Sequence, residues 1–435
     1  MVRFRNNILI CILSSLAVCI SNSVSAQTAQ RSNSDSGQTS EMPFRGAWIA
    51  TVANIDWPTP EAVGVPALQQ AQMEQMLDSL QSIGINAIVF QIRPTADALY
   101  WSELEPWSHW LTGVQGFWRS HDGLLEGTED FYDPLEFVTT AAHDRGIQVH
   151  AWLNPYRVTI KSMDTTKLVN NHIMRRHPEW FWKYGEQWYF EPGLDETREW
   201  ICMVVEDIVC RYDVDAIHMD DYFYPYPLPR QALPDRECFE AHPRGFTDIR
   251  AWRRNNVNMA IRDISETIHK TKPWVEFGIS PFGVWRNNTR DSIGSATTAG
   301  LTNYDNLYAD VLYWIREGWI DYVCPQLYWH IGNRAAGYDV LAHWWAQRVR
   351  EANEYNLTTN DKQPTTCKLY IGLAPFRLGS LKEASAWRTG NEIDRQMKLN
   401  RTIPEITGEC FYSTRPLLKN PLGVCDTIRH YYLDE

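Results

Sequence analysis

Two adjacent carboxylates, Asp220 and Asp221, follow an apolar run in the stretch HMDDYFYPYP, among aromatic rings and prolines. Like charges repel and poorly hydrated carboxylates are costly to ionise, so such a doublet indicates either chemistry or a structural role. Repulsion and burial raise one pKa while hydrogen bonds keep the other group ionised, and hydrolysis of a glycosidic bond requires such a pair. In the structural alternative, one Asp caps a turn and the other pairs with Arg93 or Arg157.

The second catalytic carboxylate can also lie elsewhere in the chain. Neighbouring residues of a strand point to opposite faces, so Asp220 and Asp221 need not reach the same bond. Glu105, in the loop DALYWSELEPWSHWLTG, is the first outside candidate, and Asp97 and Glu191 follow it. The separation of the two carboxylates decides between retention and inversion, and the sequence leaves that question open.

The elements that position these residues alternate regularly. Eight short segments rich in β-branched and aromatic residues are each followed by a longer stretch with helical period. They begin near Phe44, Ile85, Gln148, Val214, Glu276, Asp321, Lys368 and Ile406. Alternating strands and helices form parallel βαβ units, so the sequence predicts an α/β fold, a single (β/α)8 TIM barrel with long βα loops over residues 43–435.

The first two helices have clear ends. PALQQAQMEQMLDSLQSIG is predicted to begin at Pro66 and to end at Gly84. DPLEFVTTAAHDRG is predicted to be capped by Asp133 and to end at Gly146. Each helix thus leads into the next strand.

Period-2 alternation selects the side chains that point into the barrel. In the fourth strand, Ile217 and Met219 suit the helix-facing side, which leaves Ala216, His218 and Asp220 inward. In the second, third and sixth strands the inward residues are Gln91 and Arg93, then His150, Trp152 and Asn154, then Cys324, Gln326 and Tyr328. Polar residues therefore collect at the carboxyl ends of the strands, where TIM barrels carry their active sites.

The same strand ends supply candidates for substrate binding. Aromatic faces stack on sugar rings, and polar side chains hydrogen-bond to hydroxyl or acetamido groups. The candidates are Trp48, Gln91, Arg93, Trp152, Asn154, Tyr156, Arg157, His218, Tyr222, Gln326, Tyr328 and Trp329. For each aromatic ring, packing at the top of the barrel is the alternative.

The composition limits the classes of molecule that this chain is expected to bind. A formal net charge of −12 argues against nucleic acid and anionic lipid, which both favour a basic face. His218 and Asp220 share a face but are too few to hold a catalytic metal, and the cysteines form no CxxC pair. We therefore expect a glycan partner and neither a metal nor another cofactor.

The amino-terminal segment has the pattern of a targeting signal. A short basic start, an apolar run over 8–20 and small residues after it predict a cleaved signal peptide over residues 1–26, and export to the periplasm or cell envelope. Val18 before Cys19 disfavours a lipoprotein. Residues 27–42 are rich in Ser, Gln and Thr, which predicts a disordered linker. No later run is long and uncharged enough to span a membrane.

Ten segments follow one another between Phe44 and Arg377, within a match that runs from about Phe44 to Phe411: FRGAWIATVANIDWP, QIRPTADALY, LEPWSHWLTG, DPLEFV, HAWLNPYR, DIVCRYDVDAIHMDDYFYP, WRRNNVN, FGISPFGVWRN, GWIDYVCPQLYW and LYIGLAPFR. Together they resemble the bacterial glycosyl-hydrolase-like family 10. That group includes a divisome-localised glycosidase that acts on peptidoglycan strands stripped of their stem peptides. The resemblance implies a (β/α)8 glycosidase fold, export to the envelope and catalytic carboxylates at Asp220 and Asp221. Where the family usually has an Asp before Pro-Gly, this chain has Glu191.

The sequence thus favours an exported glycoside hydrolase that cleaves a polysaccharide, above all the denuded glycan strands of peptidoglycan. One alternative is a non-catalytic glycan-binding barrel, which would gain nothing from a carboxylate pair. The other is a metal-dependent polysaccharide deacetylase, for which the set of metal ligands is poor.

Overall fold

The computed structural model describes residues 42–117, 119–120, 123–124, 132–161, 163–359 and 366–434. The predicted signal peptide and the predicted linker, except Met42, lie outside these ranges. Within them, no helix combines the length and the apolar character that crossing a bilayer requires.

Within the described residues, eight parallel strands close into one barrel, in which each strand pairs with its neighbours in the chain and β8 pairs with β1. The strands are β1 Phe44–Ile49, β2 Ala87–Arg93, β3 Gln148–Leu153, β4 Ala216–Met219, β5 Glu276–Ile279, β6 Tyr322–Val323, β7 Lys368–Leu373 and β8 Ile406–Phe411. Every strand begins at or close to its predicted residue, and the predicted TIM barrel is confirmed.

A helix follows each strand in the chain. These helices are α1 Pro66–Ser82, α2 Pro134–His143, α3 Asp195–Arg211, α4 Ile249–Thr271, α5 Val311–Arg316, α6 Tyr338–Thr359, α7 Asn391–Asn400 and α8 Val424–Arg429. Because the helices cover the outer face of the sheet, the carboxyl ends of the strands and the loops that follow them form the mouth.

Shorter elements occupy the connections. They are two hairpins, Arg119–Ser120 with Gly123–Leu124 and Phe181–Tyr184 with Gln187–Phe190, and the short α-helices His109–Thr112, Ile173–Arg176, Arg236–Ala241 and Thr414–Leu418. The 3-10 turns are Val52–Asn54, Pro60–Ala62, Thr165–Lys167, Pro178–Trp180, Pro375–Arg377, Ser385–Arg388 and Pro421–Gly423, and π-helical turns span Asn303–Leu307 and His430–Asp434.

The predicted helix ends follow from local chemistry. Helix α1 begins at Pro66, whose missing N–H costs nothing in the first turn, and the chain leaves it through Gly84 at φ +85°. The Asp133 side chain caps α2 by accepting hydrogen bonds from two backbone N–H groups of the first turn. Both helices therefore begin where the sequence predicts.

Alternation along the strands builds two cores. Ile217 and Met219 of β4 and Ile88 and Phe90 of β2 belong to the large core of the barrel wall and the helices. Inside the barrel, a second buried cluster contains Phe44, Trp48, Val89, Trp152, Ala216, Tyr322, Cys324, Tyr370 and Cys410. The predicted inward and outward faces of β4 are therefore confirmed.

An uncharged polar group fills the barrel below the mouth. Gly278 of β5 makes room for the Tyr322 ring, since a Cβ at position 278 would lie 1.8 Å from that ring. The Tyr322 hydroxyl lies 2.8 Å from Nδ1 of both His150 and His218. Burial lowers the pKa of His150 to about 3 and that of His218 well below its ordinary value, so both imidazoles are neutral. We call Tyr322, His150 and His218 the barrel floor.

Candidate active site

The carboxylate doublet lies directly after β4, at the mouth of the barrel. Asp220 is 4% exposed and Asp221 is 2% exposed, so both carboxyl groups are largely removed from water. Strand alternation alone would turn Asp221 away from Asp220. The chain leaves β4 at this point, however, and the charge of Asp220 acts directly on Asp221. Both carboxyl groups are thus buried at the end of β4, close enough for the charge of one to raise the pKa of the other.

Asp220 is surrounded by hydrogen-bond donors. Its Oδ2 accepts from Trp152 Nε1 at 3.2 Å and from Asn154 Nδ2, and its Oδ1 accepts from the Tyr222 backbone N–H at 3.3 Å. Burial raises the pKa of Asp220, and the nearby Arg157 charge and the three donors act against that rise. These donors stabilise the ionised form.

Asp221 has a different environment. Burial and the neighbouring Asp220 charge raise its pKa to about 7, although hydrogen bonds from Tyr226 and Gln326 oppose the change. The Tyr226 hydroxyl donates to Asp221 Oδ2. A carboxyl group with a pKa in this range can hold a proton near neutrality and deliver it to a leaving group.

Three further sequence candidates, Gln91, Asn154 and Arg157, form a chain of hydrogen bonds that ends at Asp220. Gln91 Nε2 and Arg157 Nη2 both donate to Asn154 Oδ1, each at 2.6 Å, and Asn154 in turn donates to Asp220. Arg157 also lies 5.5 Å from the centre of the Tyr222 ring. No ion pair joins Arg157 directly to either Asp in the described part of the chain, so its charge acts on Asp220 across Asn154.

Glu105 and Arg93 form their own pair. Arg93 Nε and Nη2 donate to the two oxygens of Glu105 at 2.7 and 2.6 Å, and Trp200 of α3 donates to Glu105 at 3.3 Å. A shift of register between Gln91 and Arg93 interrupts the alternation of β2, and Arg93 pairs with Glu105. The structure therefore does not bring Glu105 to the doublet, and both of its oxygens bind protein donors.

Asp97 and Glu191, the other two candidates for the second carboxylate, also form hydrogen bonds within the protein. Asp97 is buried and accepts from the Thr95 hydroxyl at 2.9 Å. Glu191 accepts from the Gly193 backbone N–H at 2.9 Å, and burial raises its pKa to about 7. Neither hydrogen bond reaches the doublet.

Burial divides the twelve substrate-binding candidates into two groups. Tyr222, Gln326, Tyr328 and Trp329 are partly exposed. The buried ones are Trp48, Gln91, Arg93, Trp152, Asn154, Tyr156, Arg157 and His218. The Tyr156 ring packs in the outer core, and both ring nitrogens of His218 have protein partners, Tyr322 and Ser280. A buried side chain shapes the site but offers little surface to a glycan.

Sequence reasoning missed four partly exposed rings at the mouth. Tyr226 and Phe282 connect Tyr222 to Trp329 along one wall, with ring centres 5.4 to 6.4 Å apart. Phe376 and Tyr412 pack against Tyr328 on the other wall, at 5.7 and 6.0 Å. Phe282, Phe376 and Tyr412 lie just past strand ends, and that position was the available signal, whereas Tyr226 lies further along the loop after β4. The two sets of rings, which we call the aromatic walls, provide stacking surfaces for sugars.

The described residues contain no group of three or more His, Cys, Asp and Glu side chains arranged to hold a metal ion. The doublet with its donors is instead suited to acid–base chemistry on a bond between the aromatic walls. In this arrangement one carboxyl group holds a proton and the other is stabilised as an anion.

Comparison with known proteins gives a family. The model of the family described as Glycosyl hydrolase-like 10 matches residues 43–389. Glycosyl hydrolase YngK of Bacillus subtilis (strain 168) is 44% identical over 390 residues, which are 89% of this chain and 71% of that protein. Glycosyl hydrolase DigH of Escherichia coli (strain K12) is 38% identical over 393 residues, 86% of this chain and 84% of that protein. Among solved structures, an α-L-fucosidase isoenzyme 2 from Paenibacillus thiaminolyticus is similar at a TM-score of 0.49 and 15% identity, over 90% of this chain and 49% of that chain.

Proposed function

The chain belongs to the glycosyl hydrolase-like 10 family and is a TIM-barrel glycoside hydrolase, and from this premise we propose that it cleaves the glycan strands of bacterial peptidoglycan with Asp220 and Asp221 as its catalytic pair. One observation carries the proposal. Two adjacent buried carboxyl groups follow β4, and although burial raises the pKa of both, the Arg157 charge lowers that of Asp220 while the Asp220 charge raises that of Asp221.

The two carboxyl groups have distinct roles in this proposal. Asp221, whose pKa burial and the Asp220 charge raise to about 7, protonates the glycosidic oxygen as that bond breaks. Asp220, stabilised as an anion by three donors, acts as nucleophile or as base toward water. If Asp220 is the nucleophile, the ionised Asp221 then takes a proton from the water that hydrolyses the glycosyl ester on Asp220, which restores both groups. If Asp220 is the base, it takes the proton of the attacking water, and proton exchange with solvent restores both groups.

The aromatic walls bind the glycan on both sides of the doublet. Tyr222, Tyr226 and Trp329 offer partly exposed rings on one side, and Tyr328 and Phe376 on the other. Gln326 is partly exposed beside Asp221 and supplies a polar group for a hydroxyl or acetamido substituent. Uncharged sugar faces fit such surfaces better than a charged polymer does.

Two features support peptidoglycan as the substrate. The sequence resembles a family in which one glycosidase acts on denuded peptidoglycan strands. The amino-terminal pattern predicts a signal peptide over residues 1–26, which would carry the enzyme to the cell envelope, where that polymer is found.

Product analysis tests the proposal. Purified protein beginning at Gln27 is incubated with denuded peptidoglycan strands, and chitin-type and α-glucan oligomers serve as substrate controls. We expect shorter strands from peptidoglycan alone, and a loss of turnover of at least about 1,000-fold in Asp220→Asn, with strand binding retained. Binding without cleavage by the unmodified protein would identify a glycan-binding barrel. Release of acetate that depends on a divalent metal would identify a deacetylase.

A further inference from the structure

We propose that Gln91 and Arg157 are positioning residues, which act through the Asn154 amide to keep Asp220 the ionised member of the carboxylate pair. The inference rests on the proposed function, because it concerns the charge state of a proposed catalytic group. The sequence suggested substrate binding for Gln91, Asn154 and Arg157. Exposures of 0%, 0% and 8% instead direct their polar atoms to protein partners.

The direction of the first link is fixed by the backbone. Gln91 Oε1 accepts from the backbone N–H groups of Thr51 and Val52, at 2.9 Å each. A backbone N–H can only donate, so the oxygen of the Gln91 amide must face these two groups. Its nitrogen is thereby turned toward Asn154, to which it donates at 2.6 Å.

The direction of the second link is fixed by Arg157. A guanidinium group has donors and no acceptor, so the atom of Asn154 that it contacts at 2.6 Å must be the amide oxygen. Gln91 and Arg157 thus impose the same orientation on Asn154 independently. With its oxygen held by both, Asn154 presents its nitrogen to Asp220 Oδ2.

The consequence for Asp220 is a hydrogen-bond network in which every donor along the chain points toward its carboxylate. Turning the Asn154 amide over would place its nitrogen against two other donors and leave buried groups unpaired, which is costly. Asp220 Oδ2 therefore accepts hydrogen bonds and does not carry a proton. Hydrogen bonds that stabilise the charged form of a carboxyl group lower its pKa, so the network opposes the effect of burial.

Several charged or titratable groups act on this site. Asp221 and Tyr222 adjoin Asp220, Arg157 follows β3, and Tyr412 follows β8. A test of the network must leave these groups unchanged, so it is best made with uncharged replacements at Gln91 and Asn154.

A double-mutant cycle of Gln91→Met and Asn154→Leu provides this test. The readout is the acidic limb of the pH profile of kcat/KM, which reports the ionisation of Asp220 in the free enzyme. We expect Asn154→Leu to move the limb up by about one pH unit and Gln91→Met to move it by less. Because Gln91 acts through Asn154, the double variant should show the limb of Asn154→Leu alone. Asn154→Ala, which admits water, replaces Asn154→Leu if that variant does not fold.

Trp152→Phe is the matched control for the cycle. Trp152 donates to the same oxygen of Asp220 but not through Asn154. Its effect on the acidic limb should therefore add to that of Gln91→Met, whereas the effect of Asn154→Leu should not. The inference would be overturned if the acidic limb of kcat/KM did not move in either single variant. It would also be overturned if the shifts caused by Gln91→Met and Asn154→Leu added in the double variant.

A second readout separates this inference from the proposed function. The melting temperature of each variant is compared with that of its Asp220→Asn counterpart over a range of pH, without substrate. Folding raises the pKa of Asp220, so the stability of the protein falls, relative to Asp220→Asn, as pH rises from the unfolded pKa to the folded pKa of this group. In the Asn154→Leu background, the protein that keeps Asp220 should go on losing stability, relative to the one with Asp220→Asn, up to a higher pH. If the protein cleaves no peptidoglycan but this extension is found, the proposed function fails and the positioning role stands.

Discussion

If Asp221 is the proton donor, as we propose, activity should fall with rising pH because this carboxyl group loses its proton. Burial and the Asp220 charge raise the pKa of Asp221 to about 7. For a single acid with that pKa, the protonated fraction is about one half at pH 7, about one tenth at pH 8 and about one hundredth at pH 9. The value of kcat/KM should decrease in the same proportion, since this parameter reports the ionisation of the free enzyme.

The assay follows product formation from denuded strands between about pH 5 and pH 9, with the folded state checked at each pH. Asp220→Asn provides the internal comparison, because it removes the neighbouring charge that helps to raise the pKa of Asp221. The basic limb of its residual activity should therefore move to lower pH. Asp221→Asn should lose the basic limb together with most of its turnover.

Two results would refute this reasoning. A rate that stays level between about pH 6 and pH 9 would mean that Asp221 is not the proton donor. A basic limb that is unchanged in Asp220→Asn would mean that the charge of Asp220 does not act on the group that titrates.

Other perturbations give equally definite expectations. Phe376→Ala should weaken strand binding by about threefold to tenfold through loss of one stacking ring, while Tyr355→Ala, which removes a ring of similar exposure on α6, should leave binding unchanged in affinity electrophoresis. The folded pKa of Glu191 is raised to about 7, so its contribution to stability is present at low pH and lost as pH rises through that value. Glu191→Gln should therefore melt about 2 °C or more above the unmodified protein at pH 8, with a smaller difference at pH 5, and equal melting at both would contradict the assignment. Turnover should persist in excess EDTA because carboxylate catalysis uses no cation, whereas loss restored by one divalent metal would indicate the deacetylase chemistry.

The barrel was predictable because its strands obey a simple rule of alternation. Ala216 and Trp152 lie in the inner cluster and Ile217 in the outer core, as expected from their positions. The resemblance to the glycosyl-hydrolase-like family is likewise confirmed by the match over residues 43–389. Both predictions depend on patterns that extend over many residues, so no single irregularity could overturn them.

Alternation fails where the strands end, and the site lies at those ends. Arg93 pairs with Glu105 after a register shift in β2, and the charge of Asp220 raises the pKa of Asp221 just past the end of β4. Local spacing carries no information about either event. A polar residue at a strand end also binds a ligand or a protein group equally well, and only the fold showed that Gln91 and Asn154 do the latter.

The barrel floor determines how cleanly the chemistry above it can be observed. Histidine is the side chain that ordinarily titrates near neutrality and obscures the signal of other groups. Here the pKa of His150 is lowered to about 3, that of His218 is lowered well below its ordinary value, and one Tyr322 hydroxyl bonds to both rings. The floor therefore gives a constant electrostatic background under the reacting bond across the working range of the enzyme. A change of rate with pH in the neutral range therefore comes from groups other than these two histidines.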